Sequence, residues 1–185
     1  MKNKLIIGLF CCIAVIQLIV PLSMIMKRES VLKKGEQFKF VTAPVDPFDA
    51  FRGRYVALRI AEDNVTASKE QRLNNGQNVF AHIGMDEQGF ARLTGVTTSQ
   101  PQGIPYIQAK VRWESGGKVY LDLPINRYYM EEKSALLAER VYREHSMRGK
   151  QDAYVLVRIK DGFAVIEGLY VGGKRIEDMV RSLKK

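Results

Sequence analysis

The chain has 185 residues, 46% hydrophobic and 26% charged, with 15 Gly and only 6 Pro, which fits one folded domain plus an appendage and excludes a disordered or collagen-like chain and a pair of large domains. Its 29 Lys and Arg against 20 Asp and Glu invite an acidic partner, nucleic acid or an anionic membrane surface, without choosing between them. No reaction is legible at this level.

The first element in the chain is the clearest. Leu5 to Met26 is a run of 22 residues without a formal charge, about 33 Å of helix against a hydrocarbon core of about 30 Å. A cleaved signal peptide needs a shorter apolar run and a small-x-small site, and Leu22 to Met26 offers none. Phe10 likewise places a bulky residue before Cys11 and Cys12, where a lipoprotein cysteine wants a small one. The expectation is an uncleaved signal anchor over residues 1–27, touching the lipid bilayer through residues 5–26, followed by a single domain over 28–185. Lys27, Arg28, Lys33 and Lys34 outnumber Lys2 and Lys4, which by count holds the domain in the cytoplasm; long domains translocate largely regardless of charge, and the short amino-terminal tail has the shape of a signal anchor. The domain is therefore expected outside the cytoplasm, on a single-pass protein of the cell (inner, cytoplasmic) membrane. Both cysteines fall in the span, which is neutral on redox compartment.

Beyond the span, apolar residues alternate at Phe38 and Phe40, at Val56, Leu58 and Ile60, at Val79, Ala81 and Ile83, and at Val119, Leu121 and Leu123, the period of half-buried strands. Further strands are expected at 90–96, 106–113 and 125–130. Tyr154 to Ile159 and Phe163 to Val171 flank Asp161-Gly162, a hairpin signal because both turn positions tolerate positive φ. Helical spacing recurs over Ser134 to Met147, with Ser134 as cap and Gly149 as stop, and in the stripe Ile176, Met179, Val180 and Leu183. The fold class is α+β, mostly β: one apolar helix, then an antiparallel sheet or barrel with one or two amphipathic helices.

Two stretches resemble each other. Val79 to Asp86 followed by Gly89-Phe-Ala-Arg-Leu-Thr-Gly-Val96 parallels Tyr154 to Asp161 followed by Gly162-Phe-Ala-Val-Ile-Glu-Gly-Leu169. Related hairpins imply approximate two-fold symmetry; chance likeness between hairpins is the other reading.

Between the first two strands lies Pro44-Val-Asp46-Pro47-Phe-Asp49-Ala-Phe-Arg52-Gly53-Arg54-Tyr55-Val-Ala-Leu58-Arg-Ile60. Asp46-Pro47 starts a turn, Asp49 suits an Asx turn, and Gly53 frees the backbone ahead of a strand. Arg52 and Arg54 invite ion pairs with Asp46 and Asp49, which makes a structural loop the first reading and a ligand site the second. This stretch resembles the GDYXXLXY family of bacterial membrane-anchored proteins, whose pattern is Asp-Pro-x-Asp-x-x-Arg-Gly-Asp-Tyr-x-x-Leu-x-Tyr. Asp46, Pro47, Asp49, Arg52, Gly53, Tyr55 and Leu58 match it; Arg54 and Ile60 depart from it. The segment Arg127 to Glu132 and the 154–168 hairpin also look like the family, which adds Tyr128 and Glu132 to the candidate motif or binding residues. The resemblance implies one span and a small domain of the cell envelope, with no agreed reaction.

The remaining chemistry is sparse. The soluble part has no Cys, no Gly-x-Ser-x-Gly and only His82 and His145, neither at metal-ligand spacing with a second His or Cys, and no phosphate-binding Gly-x-x-x-x-Gly-Lys. No catalytic residue, cofactor or metal is therefore expected. Basic residues are scattered among acids, which argues against nucleic acid. The expected function is a non-enzymatic accessory or binding domain whose partner is another membrane or envelope protein; the alternative is a membrane-tethered hydrolase or a sugar- or peptide-binding module using Asp46, Asp49 and Arg52.

Overall fold

The computed structural model describes residues 2–43, 55–67, 73–146 and 151–183. Helix α1 (Lys2–Lys34) contains Pro21 and continues through the apolar run without a break. Its stretch Ile6–Lys34, 29 residues, is long and apolar enough to cross a membrane, and none of its most apolar window is covered by protein. Phe10 is 70% and Leu18 73% exposed, a surface that water does not favour. The last turns differ: Val31 is buried, and the Gly35 N–H donates to the Val31 carbonyl at 2.7 Å. The Gly35 carbonyl accepts from Arg158 at 3.2 Å. A Cβ at Gly35 would stand 2.5 Å from the Val31 oxygen, so glycine is what lets the helix end directly against the sheet.

The domain consists of β1 (Glu36–Ala43), β2 (Tyr55–Ala57), β3 (Arg59–Ile60), β4 (Asn64–Thr66), β5 (Asn78–Met85), β6 (Ala91–Thr97), β7 (Tyr106–Ser115), β8 (Lys118–Asp122), β9 (Arg127–Tyr129), α2 (Glu132–Ser146), β10 (Ala153–Lys160), β11 (Phe163–Val171), β12 (Lys174–Arg175) and α3 (Ile176–Leu183). One sheet has the order β12-β11-β10-β1-β3 and the other β4-β8-β7-β5-β6, with β2 and β9 as a separate ladder. Every pairing is antiparallel. The sheets meet where β1 approaches β6 and β11 approaches β7, closing most of a barrel around Phe40, Val79, Ile107, Leu121, Val155 and Leu169. These are the inward members of the alternating pattern, which is why the period of two predicts the core correctly.

The Asp161-Gly162 hairpin forms as expected, with φ of 51° and 75° at the two turn residues. Its tip docks on the other sheet: Gln108 N–H donates to the Gly162 carbonyl at 3.0 Å, and a Cβ on Gly162 would lie 2.5 Å from the Tyr106 ring. The two similar stretches both form antiparallel hairpins, and each has a register break, between His82 and Ile83 opposite β6 and between Leu156 and Val157 opposite β11. The extra residue is Thr94 in one and Glu167 in the other, each just before the matched glycine.

Three local expectations are corrected. The strand read over Val56 to Ile60 is two: β2 pairs with β9 and β3 with β1, the chain changing partners at Leu58, whose N–H donates to Asn126 instead. Ser134 is not the helix cap, since α2 starts at Glu132; the Glu131 carbonyl accepts from the Ser134 and Ala135 N–H groups, and the Ser134 hydroxyl donates back to the Glu131 carboxylate at 3.0 Å. In α3, Ile176 and Val180 are buried but Leu183 is 59% exposed, because burial along the helix ends at Val180 and residues 181–183 all face solvent. The expected stop at Gly149 lies outside the described residues.

Candidate functional site

The motif divides at the edge of the described structure. Asp46, Pro47, Asp49, Arg52 and Gly53 lie outside the described residues, and Tyr55 and Leu58 lie within them. Leu58 is a core residue, 4% exposed. Tyr55 opens β2 and stands opposite Tyr129 of β9, with Val56 opposite Tyr128 and Ala57 opposite Arg127. The fold thus joins two segments read separately in the sequence. Val56 and Tyr128 point into the protein, while Tyr55 and Tyr129 share the outer face, ring centroids 5.6 Å apart. The Arg127 guanidinium lies over the Tyr55 ring at 5.2 Å, within cation–π range. Tyr129 is 63% exposed. Glu132 is not part of this group: it is an exposed first-turn residue of α2, favourable to the helix dipole.

Beneath the ladder lies a polar connection. The Tyr128 hydroxyl donates to the Glu177 carboxylate of α3, and Arg175 Nε faces the second, buried Glu177 oxygen at 3.5 Å. Burial, followed by the bond to Glu177, pushes the Tyr128 hydroxyl up to about 12 despite an opposing pull from Arg175. That phenol is a poor base or nucleophile at neutral pH, and it ties α3 to the motif ladder. Sequence reasoning missed Arg175 and Glu177; the only trace of them is their place at the start of an amphipathic stripe. Above the ladder's first strand, the Tyr142 hydroxyl of α2 donates to the Ala43 carbonyl at 2.8 Å, so α2 holds the residue that precedes segment 44–54 and packs on β2, which follows it.

A family model described as GDYXXLXY protein matches residues 17–169. The chain belongs to this family. The match runs from mid-α1 into β11 and leaves Arg175 and Glu177 beyond its end. No curated protein and no solved structure matches the chain. Of the GDYXXLXY signature positions, Ile60 stands where the family pattern has Tyr, and it is 6% exposed in β3, a site where an aliphatic side chain packs into the core.

Other polar groups outside the GDYXXLXY ladder serve the fold. His82 Nε2 contacts Thr97 Oγ1 at 3.2 Å across the β5–β6 hairpin, and His145 Nδ1 contacts Asp152 at 2.7 Å. A cleft of about 440 Å³ is bordered by Asp86, Arg92 and Tyr154. The Asp86 carboxylate there accepts from Gln88 and Phe90 N–H groups at 2.9 and 2.8 Å; the Phe90 bond is the chief reason it is held below the usual carboxylate range. It closes the β5–β6 loop. Among the described residues, no three His, Cys, Asp or Glu side chains gather to hold a metal ion.

Proposed function

We propose that this protein is a membrane-anchored, non-enzymatic binding domain of the bacterial cell envelope, held by α1 as a signal anchor in the cytoplasmic membrane with the domain outside, and that its contact with another membrane or envelope protein is the outer face of the β2–β9 ladder. The observation that carries this reading is the exposed Tyr129 beside Tyr55 and Arg127. Tyrosine and arginine are among the residues enriched where protein partners dock. The polar groups beneath are bonded to one another and hold that face in shape.

The test is a photo-crosslinking amino acid at position 129 in the full-length protein in cells, with purification in mild detergent and mass spectrometry of the adducts. A membrane or envelope protein recovered near stoichiometry, and lost with Arg127→Ala, supports the reading. A protein that crosslinks to nothing and purifies alone rejects it.

The alternative, a hydrolase or small-ligand module using Asp46, Asp49 and Arg52, draws support from Ala43 and Tyr55, the residues either side of segment 44–54, being held beside the ladder by α2. Asp49→Ala and Arg52→Ala distinguish the two: loss of ligand binding with an unchanged melting temperature favours the module, and a lowered melting temperature favours a structural loop.

A further inference from the structure

A larger cleft than the one beside Asp86 lies where the apolar helix meets the domain. Its volume is about 700 Å³, within the range of small-ligand sites. One wall is α1, contributing Met24, Lys27 and Arg28; the other is formed by β7, the stretch after β8, and the 161–163 turn, contributing Lys110, Leu123 and Phe163. Lys27 Nζ sits over the Phe163 ring at 4.3 Å, which holds helix and hairpin together at the cleft's edge. Arg28 and Lys110 are exposed and form no ion pair among the described residues. The single carboxylate in the lining, Asp122, also faces Arg112 at 3.9 Å. Gln108 and Asn126 add amide groups.

The position along α1 gives the cleft its chemistry. Met24 belongs to the uncharged run and Lys27 and Arg28 are the first charges after it, so the cleft spans the level at which hydrocarbon gives way to headgroups. A ligand fitting both walls has an anionic phosphate and an apolar tail. We propose that this cleft binds a phospholipid of net negative charge through its headgroup phosphate, with Lys27, Arg28 and Lys110 as the cationic ligands and the acyl chains lying along the Met24 side of α1. The proposal rests on the membrane-anchor reading of α1.

The experiment uses the full-length protein in mild detergent, with native mass spectrometry of complexes formed with dioleoylphosphatidylglycerol or dioleoylphosphatidylcholine. One phosphatidylglycerol per chain is expected, retained in preference to phosphatidylcholine. Each cation near an anionic surface contributes about fivefold, so Arg28→Gln with Lys110→Gln should weaken retention about 25-fold, and Lys110→Gln alone about fivefold. Lys2→Gln with Lys4→Gln, at the other end of the helix, should change nothing. Equal retention of the two lipids, or variants that bind as the parent does, overturns the proposal. Displacement of the lipid by an equal concentration of glycerol phosphate also overturns it, and assigns the cleft to a soluble phosphate compound. Alkaline carbonate extraction tests the anchor separately: release of the protein from membranes rejects the anchor and the lipid site together, whereas retention in the pellet without lipid selectivity rejects the lipid site alone.

Discussion

Tyr128 and Glu177, 49 positions apart, are joined by a hydrogen bond that ties the motif ladder to the last helix. Hydrogen bonds to charged groups contribute about 1.5–3 kcal/mol. Tyr128→Phe should lower the stability of the purified protein by about 2 kcal/mol in a denaturant melt, and in Glu177→Gln the same Phe substitution should cost less, since the two changes share one interaction. Additive losses would show that the contact is idle.

Burial of Tyr128, and after it the same bond, sets a dependence on alkali. Tyr128 releases its proton at about 12 when folded, against about 10 when unfolded. A folded pKa raised in this way contributes stability that is complete below about pH 10 and fades as pH rises towards 12. Burial raises Tyr142 and Tyr154 as well, so tyrosinate absorbance should reveal several phenols titrating late, and Tyr128→Phe should remove one of them and flatten the fall in stability over that window.

Glu167 gives the opposite sign. Burial tends to raise its pKa, but hydrogen bonds from Arg158 at 2.7 Å and Gln37 at 3.0 Å, with the charges of Arg158 and Arg175, bring it below the usual range. A depressed pKa stabilises the fold above the unfolded value and loses that contribution as pH falls through the folded one. Glu167→Gln should therefore cost about 1 kcal/mol at pH 7, with the gap to the parent closing in acid. A gap that stays constant from pH 7 to pH 3 would exclude the ion pair as its source.

Two glycines separate backbone strain from crowding. Gly116 has φ of 59° with nothing near its missing Cβ, whereas Gly162 has φ of 75° and would place that Cβ 2.5 Å from the Tyr106 ring. Gly116→Ala should cost about 1 kcal/mol, and Gly162→Ala about 3 kcal/mol or more because the hairpin tip must also lift from β7. Equal melting temperatures for the two variants would mean that the tip is not docked.

The side on which the domain resides is open to labelling. Asn74 is exposed, and the natural cysteines, Cys11 and Cys12, lie in the apolar run. With the domain outside, Asn74→Cys should react with an impermeant maleimide in intact cells. Reaction only after lysis would place the domain in the cytoplasm.

Local order was the part of this structure that could be read beforehand. Val79, Ala81 and Ile83 alternate because one face of β5 is buried, and Asp161-Gly162 turns because its backbone requires positive φ; both facts are written in neighbouring residues. Leu58 misled because the period of two persists while the hydrogen-bond partner changes: burial repeats in the letters, and pairing does not. Of the site, Tyr55 and Tyr128 were singled out, yet their adjacency through β2 and β9 depends on how a barrel closes. Glu177 showed only its place beside an amphipathic stripe, since one carboxylate in a helix is ordinary until the fold sets a phenol against it. β4 and β12 are too short to show a period.

The junction at Gly35 has a mechanical consequence. With its N–H bonded to the last turn of α1 and its carbonyl to Arg158, there is no slack between the helix and the sheet, so the domain is mounted like a bracket and does not swing from a tether. Its bearing around the helix axis is set by the number of residues in α1. Inserting one residue between Arg28 and Val31 would turn every face of the domain by about 100°, and inserting seven would restore the bearing to within about 20° while raising the domain by about 10 Å. On the proposed reading, a membrane partner of the domain would have to match it in azimuth and height, which makes helical phase part of the specificity.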